Sequence, residues 1–195
     1  MLRRLAALAA GVVLLVGAAP AGARDLPTIV QRGNDYLESV LQTPIPDRPV
    51  TMSLFAHDEC GPGVFVPDGC AWSDHIEVLP WVVTQLLRGH GKERAEAAYV
   101  LEHETLHRLQ EDGPREEGVT DALTWDLQLG YYRALGFHGR MIQAGYAEEV
   151  QQVRWTSARA TGEGWRTRPA RLFRRELWKA TPQGRDALAK AAWGN

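Results

Sequence analysis

Two histidines and a glutamate form the group of side chains best suited to chemistry in this chain. His103 and His107 stand four residues apart, and Glu104 directly follows the first histidine. On a helix, positions i and i+4 lie one above the other, with Cβ atoms about 5–6 Å apart. Two imidazoles on one helical face can therefore bind one metal ion, with zinc–nitrogen bonds of about 2.0–2.1 Å. The spacing predicts two ligands of a metal site.

Glu104 has a different position on the same predicted helix, about 100° around the axis from His103. A carboxylate there is close to the metal ion but badly placed to be a ligand. Zinc lowers the pKa of its bound water to about 7, and a neighbouring carboxylate can accept a proton as that water attacks a carbonyl. The pattern predicts that Glu104 is a general base.

A catalytic zinc site has three protein ligands and one open position, so a third ligand is needed. Gly113 can end the motif helix, and Pro114 can begin the next one. Glu117 then lies one turn into the second helix, and Asp121 lies one turn further on the same face. We expect Glu117 to be a ligand and Asp121 to accept the outer N–H of a ligating histidine, which fixes its tautomer.

The sequence His103-Glu104-x-x-His107, followed by Glu117-x-x-x-Asp121, resembles the gluzincin clan of zinc metallopeptidases, which includes the thermolysin-like enzymes. The resemblance covers about residues 99–123. It implies that His103, His107 and Glu117 bind zinc, that Glu104 is the general base, and that Asp121 supports a ligand from outside the coordination sphere.

The connection from His107 to the second helix is shorter than in the best-known gluzincins. Other acids near the connection therefore remain alternatives for the third ligand: Glu111, Asp112 and Glu116. A metzincin site is disfavoured, because Gln110 and Gly113 occupy the positions where that family has its glycine and third histidine. A deformylase-like site needs a cysteine ligand, and both cysteines of this chain have a better use.

The first 23 residues have the pattern of a secretory signal peptide. Arg3 and Arg4 make a basic start, residues 5–16 are an apolar run, and small residues at 21–23 form a cleavage site. The apolar run is too short for a membrane span. We expect residues 24–195 to be one zincin-like domain without a transmembrane segment, secreted or otherwise extracytoplasmic, because this length suits one well-packed core.

Cys60 and Cys70 are the only cysteines in the sequence. In an exported chain an even number of cysteines indicates a disulfide, so we expect these two to be bonded. The short loop that they close predicts a stabilisation of about 2–3 kcal/mol on the chain-entropy model. The alternative is a pair of reduced, buried thiols.

Hydrophobic periodicity predicts an α+β fold: a compact zincin-like domain with a small sheet, an active-site helix, a glutamate helix and a helical C-terminal tail. We expect the strand within 73–79 to be the sheet edge that binds an extended peptide. The predicted strands are 50–57, 63–66 and 71–79, and the predicted helices are 25–41, a short helix from Pro80, 92–110, 114–135, 140–157, 170–179 and 183–192.

The C-terminal region is basic and rich in tryptophan. Residues 151–195 hold ten Lys or Arg against three acids. We expect its tryptophans, which are Trp155, Trp165, Trp178 and Trp193, to lie in the core and its arginines to pair with the acidic body. The alternative is a surface that binds anionic envelope polymers, a membrane or nucleic acid.

These observations predict a secreted, monomeric zinc peptidase that hydrolyses peptide bonds with metal-activated water and acts on a peptide or protein substrate, with no nucleic-acid partner. The alternative is a non-catalytic envelope or binding protein that uses the basic C-terminal region on a zincin scaffold. A hydrolytic site also needs a donor to the developing oxyanion. The sequence does not choose among four downstream candidates, which are Tyr131, Tyr132, His138 and Tyr146.

Overall fold

A computed structural model of the protein describes residues 25–46, 49–52, 68–72, 74–107, 116–143 and 145–194. The expected signal peptide at 1–23 lies outside these ranges. Cys60 also lies outside them, so the disulfide with Cys70 stays a prediction. The same is true of the connection at 108–115, which contains two of the alternative ligands, Glu111 and Asp112.

Seven helices and a small three-stranded sheet make up the described residues, which confirms the predicted α+β class. In chain order the elements are α1 Leu26–Leu41, β1 Val50–Met52, β2 Gly69–Ala71, β3 Ile76–Val78, α2 Pro80–Arg88, α3 Gly91–His107, α4 Glu116–Ala134, α5 Ala147–Thr161, α6 Arg168–Lys179 and α7 Pro182–Trp193.

The helix that carries the two histidines, α3, is central to the fold. It packs against α2 on one side and α4 on another, and β2 and β3 also contact it. Buried side chains occur all around this helix, including Ala95, Ala98, Leu101 and Leu106. A helix that is buried on several faces has little freedom to rotate or slide, because its neighbours are close-packed. The direction in which its histidines point is therefore fixed.

The sheet differs from the prediction in two ways. The predicted strand at 71–79 is confirmed only over Ile76–Val78, because Trp72 N–H donates to the His75 carbonyl at 2.8 Å and so pairs the two parts of this segment with each other. Ala71 therefore belongs to β2, and β3 is a separate strand. The expected edge strand is also wrong, since β3 pairs with β1 in parallel and with β2 in antiparallel orientation. Among the described strands, β2 and not β3 is the edge that contacts α3.

The helix predicted at 140–157 begins later, at Ala147. In the segment before Ala147, side chains of α4 form hydrogen bonds with backbone groups that would otherwise bond within a helix. The Gln128 side chain accepts from Ile142 N–H at 2.6 Å and donates to the Ile142 carbonyl at 3.3 Å. Tyr146 N–H donates to Asp121 at 3.0 Å. These bonds satisfy backbone groups of Ile142 and Tyr146 without a helix.

The C-terminal helices follow the expectation only in part. Arg174 is 1% exposed and binds Asp126 of α4 through two hydrogen bonds, at 2.7 and 2.9 Å. Trp178 is buried in the core. Trp155 and Trp193 are 57% and 44% exposed, so for these two the expectation of core positions is wrong. No described helix has both the length and the apolar character needed to cross a bilayer.

We expect Arg174→Ala to lower the free energy of unfolding by about 3–5 kcal/mol, because it leaves the Asp126 carboxylate buried without its partner. Urea denaturation followed by tryptophan fluorescence measures this change. Arg171→Ala is the matched control on the same helix, since Arg171 is exposed, and its effect should stay within about 0.5 kcal/mol. Equal effects of the two substitutions would contradict a structural role for the Arg174–Asp126 pair.

Candidate metal centre

The structure brings His103, His107 and Glu117 together into one cluster, named here the His–His–Glu cluster. The two imidazole Nε2 atoms are 2.9 Å apart. Oε2 of Glu117 lies 3.1 Å from each of them. The last turns of α3 supply both histidines, and the first turn of α4 supplies the glutamate. The packing of these two helices therefore creates a group of three ligand atoms within 4.8 Å of one another that can hold a metal ion.

The donor set fits a small divalent ion. Two imidazole nitrogens and one carboxylate oxygen at bond lengths of about 2.0–2.2 Å lie about 3.3 Å apart around a tetrahedral centre. The separations of 2.9–3.1 Å are slightly shorter, so a small outward movement of the side chains is enough. His103 is 9% exposed, and His107 and Glu117 are half-buried, which leaves one side of the cluster accessible.

Asp121 supports the cluster from behind. Its carboxylate is 1% exposed, and Oδ1 lies 3.4 Å from Nδ1 of His103. The Tyr99 hydroxyl donates to the same oxygen, and Tyr146 N–H donates to Oδ2 at 3.0 Å. The carboxylate is thus held from two other directions while it faces the histidine. This is the arrangement that fixes the tautomer and ring orientation of a ligating imidazole.

Two supporting residues were not identified from the sequence. Tyr99 stands one helical turn before His103, and its ring also stacks on that imidazole with centroids 6.5 Å apart. Thr120 lies next to Asp121 in the chain, and its hydroxyl is 3.5 Å from Nδ1 of His107. The i, i+4 spacing of Tyr99 to His103 was the available signal.

The charges around His103 favour a cation at this place. Burial disfavours the charged imidazole, but hydrogen bonds to Asp121 and Glu117 and the charge of Glu104 outweigh it and raise the pKa of His103 to about 10. Burial also opposes ionisation of Glu117, yet its bonds to the two histidines hold its pKa well below the usual range. The carboxylates therefore stay ionised and create a field in which positive charge is stable.

Glu104 lies beside the cluster under the edge strand β2. The Ala71 backbone N–H lies near its carboxylate and favours the ionised form, which lowers the pKa. A Cβ on Gly69 would lie 2.7 Å from Cγ of Glu104, so only glycine leaves room for this side chain. Burial raises the pKa of Glu104, although the charges of His103 and His107 oppose the increase. The predicted base is thus close enough to the histidines to interact with them electrostatically.

Of the four candidates for an oxyanion donor, the structure brings Tyr146 next to the cluster. Its ring stacks on the His103 imidazole with centroids 6.3 Å apart. Burial, followed by the negative charges of Glu117 and Glu104, raises the pKa of Tyr146 to about 12. Its hydroxyl therefore keeps its proton at neutral pH. Tyr131 and Tyr132 lie in the hydrophobic core instead.

Glu102, which precedes His103, is the polar residue that interrupts the apolar face of α3. It is fully buried, and neither carboxylate oxygen has a hydrogen-bond partner among the described residues. Burial raises its pKa well above the usual range, although the charge of His103 opposes this. Glu102 is therefore a neutral core residue and takes no part in the His–His–Glu cluster.

The alternative third ligands and the other histidines are not part of the described cluster. Glu111 and Asp112 fall in the segment that the structure does not describe, as does the side chain of Glu116. Nδ1 of His75 lies 2.6 Å from Oδ1 of Asp74. His90 and His138 are exposed. Among the described residues, Glu117 is thus the acid that completes the group with His103 and His107.

Comparisons with known proteins gave no match, whether with family models, with curated proteins or with solved structures. The resemblance to gluzincins therefore depends on the motif residues and their geometry alone.

We expect the purified mature protein to bind about one divalent transition-metal ion per chain, and His103→Ala to abolish stoichiometric binding, because two ligands alone hold such an ion weakly. Elemental analysis after dialysis against a metal buffer measures the content. His138→Ala replaces an exposed histidine and should leave the content unchanged. Equal metal content in both variants would contradict the assigned cluster.

We expect Asp121→Asn to weaken metal affinity about 10–100-fold, because an amide holds the imidazole N–H less firmly than a carboxylate does. Competition with a fluorescent chelator gives the affinity, and circular dichroism checks that the fold is retained. If affinity is unchanged in a folded variant, Asp121 does not support the metal ligands.

Proposed function

We propose that the protein is a zinc-dependent peptidase, in which Glu104 acts as general base beside an ion held by His103, His107 and Glu117. The observation that supports this most directly is the position of a half-buried carboxylate next to a group of three residues that could hold a metal ion. A structural metal site has no need of such a group, whereas hydrolysis requires a proton acceptor next to the ion.

Zinc is the proposed ion because of the ligands. Two imidazoles and one carboxylate are a ligand set of catalytic zinc sites, which keep a fourth position open. When bound, zinc supplies Lewis-acid chemistry: it lowers the pKa of a water molecule and polarises a carbonyl oxygen. Magnesium and calcium are disfavoured, because these ions prefer sets made of oxygen ligands.

Glu104 carries out both proton transfers of the reaction. Glu104 accepts a proton from the attacking water as the bond from the water oxygen to the peptide carbon forms. The same carboxyl group then donates that proton to the leaving nitrogen as the carbon–nitrogen bond breaks, so water is consumed and a carboxyl and an amine are released. The nearby Ala71 backbone N–H favours the ionised Glu104 carboxylate that accepts the proton.

Tyr146 is the proposed donor to the oxyanion. Its hydroxyl keeps its proton because the pKa is raised to about 12, and its ring lies against His103. A hydroxyl donor that stabilises negative charge as it develops lowers the energy of the transition state more than that of the ground state.

β2, which is an edge among the described strands, is the proposed place for an extended substrate. The hydrogen bonds that flank β2 run from Leu79 to Asp68 and from Trp72 to His75, so Cys70 faces β3 in the antiparallel pattern. The backbone groups of Gly69 and Ala71 therefore point away from β3, because bonded and non-bonded pairs alternate along such a ladder. A peptide chain can bind the backbone groups of Gly69 and the carbonyl of Ala71 by strand addition, while the Ala71 N–H faces Glu104.

The predicted leader at 1–23 supports a place of action outside the cytoplasm. The binding-protein alternative is favoured by one observation, the exposure of Trp155 and Trp193. Arg159 stacks over the Trp193 ring at 4.8 Å, which makes a basic, aromatic surface patch. The experiment below separates the two functions, because a binding protein has no turnover to lose.

We expect Glu104→Gln to keep the metal content of the wild type and to lower turnover by about 10²–10⁴-fold, because the amide cannot accept the proton. The assay is cleavage of a broad peptide library by zinc-loaded protein, read by mass spectrometry. Glu93→Gln on the same helix is the matched control, since Glu93 is exposed in the first turn of α3.

Two results would contradict the proposal. Cleavage by Glu104→Gln at the wild-type rate would exclude Glu104 as the base. No cleavage of any peptide by zinc-loaded wild type would favour the binding-protein alternative.

A further inference from the structure

A cleft of about 660 Å³ opens directly beside the His–His–Glu cluster. Glu117 and Tyr146 line the end next to the cluster, and α5 and α7 form the walls. The volume lies within the range of about 300–1,000 Å³ that is usual for ligand sites. Because Glu117 and the proposed oxyanion donor Tyr146 both line it, the cleft has room for a molecule that also reaches the cluster.

The walls of the cleft combine apolar side chains with one buried cation. Val119, Val153, Leu177 and Ala189 contribute apolar surface. Arg185, in α7, also lines the cleft and is only 7% exposed. A guanidinium that is removed from water attracts anions strongly, because little solvent screens it.

The other charged groups that line the cleft are acids. Glu149 and Asp186 are exposed, so water and salt screen their charges. Glu117 belongs to the metal cluster, where the two histidines balance its charge. Arg185 already has a partner in the fold, but a guanidinium has five N–H donors in a planar fork and can bind a neighbour and a ligand together.

We propose that this cleft holds the substrate chain on one side of the scissile bond and that Arg185 binds a carboxylate of the substrate. The inference rests on the proposed peptidase function and names its substrate class: peptides that carry a carboxylate close to the bond that is cleaved. That carboxylate is either the free C-terminus or an Asp or Glu side chain, and a guanidinium binds both by the same paired hydrogen bonds.

The test separates binding from turnover by using the zinc-loaded Glu104→Gln protein, immobilised, as the bait. Four libraries of N-acetylated octapeptides combine a free or amidated C-terminus with the presence or absence of Asp and Glu. Mass spectrometry measures which peptides are retained. We expect the fully neutral library to bind about 10- to 100-fold more weakly than a library with the recognised carboxylate, the range for a hydrogen bond to a charged group. Two libraries have only one type of carboxylate, either the free C-terminus or the Asp and Glu side chains. Comparing these two libraries identifies which carboxylate is recognised.

Substitutions in the same bait connect the preference to Arg185. Arg185→Gln should remove the preference for carboxylates, and Arg185→Lys should keep part of it, because lysine retains the charge but not the planar fork. Lys190→Gln on the same helix is the matched control, since Lys190 is exposed and does not line the cleft.

A second variant tests the same cleft at an exposed position, in case the substitutions of buried Arg185 prevent folding. Gln152 is exposed and lines the cleft, so Gln152→Glu adds a negative charge there without disturbing the core. It should weaken binding of the carboxylate libraries and leave binding of the neutral library unchanged.

The outcomes for the two proposals differ. If wild type cleaves no peptide while the bait still selects carboxylates, the peptidase proposal fails and the carboxylate site stands. If wild type cleaves peptides but acidic and neutral libraries bind equally, the carboxylate inference is overturned and the peptidase proposal stands. Retention of the full preference by a folded Arg185→Gln bait, or no binding of any library, also overturns the inference.

Discussion

The packing of α3 against α4 is the contact on which the proposed site depends. The two histidines come from α3 and the glutamate from α4, so the three ligand atoms meet only when these helices lie side by side. Asp121 strengthens the contact, because its buried carboxylate connects Tyr99 and His103 of α3 with the backbone before α5. The same bonds that hold the helices together therefore also orient a ligand.

Burial separates the roles of three carboxylates close together in the chain and in space. Neither carboxylate oxygen of Glu102 has a hydrogen-bond partner among the described residues, and burial raises its pKa well above the usual range. Glu117 is paired with two histidines and stays ionised. Glu104 lies between these extremes, since burial raises its pKa while the histidines and the Ala71 N–H oppose that. In the proposed mechanism, this is the carboxylate that accepts and returns the proton.

The position of the sheet shows why the local pattern of a strand does not reveal its neighbours. Alternating residues indicated strand structure near β3, but they gave no information about which strand lies at the edge. That was decided by pairing: β3 has a partner on each side, and β2 is placed over Glu104 by its contact with α3. Gly69 fits there because the carboxylate side chain occupies the space of a Cβ.

The sequence by itself determined the features that depend on local backbone geometry. The four-residue spacing of His103 and His107 placed both on one helical face, and Asp25 marked the start of α1, where its side chain accepts from Thr28 N–H at 2.9 Å. The tertiary structure decided which distant groups meet. Tyr146 reached the cluster because Asp121 binds its backbone N–H across 25 positions of sequence, and Arg185 became part of the adjoining cleft through the packing of α7 on α5. Helical periodicity is a property of neighbouring residues, whereas these encounters depend on close packing and on satisfying buried polar groups, which spacing along the chain does not encode.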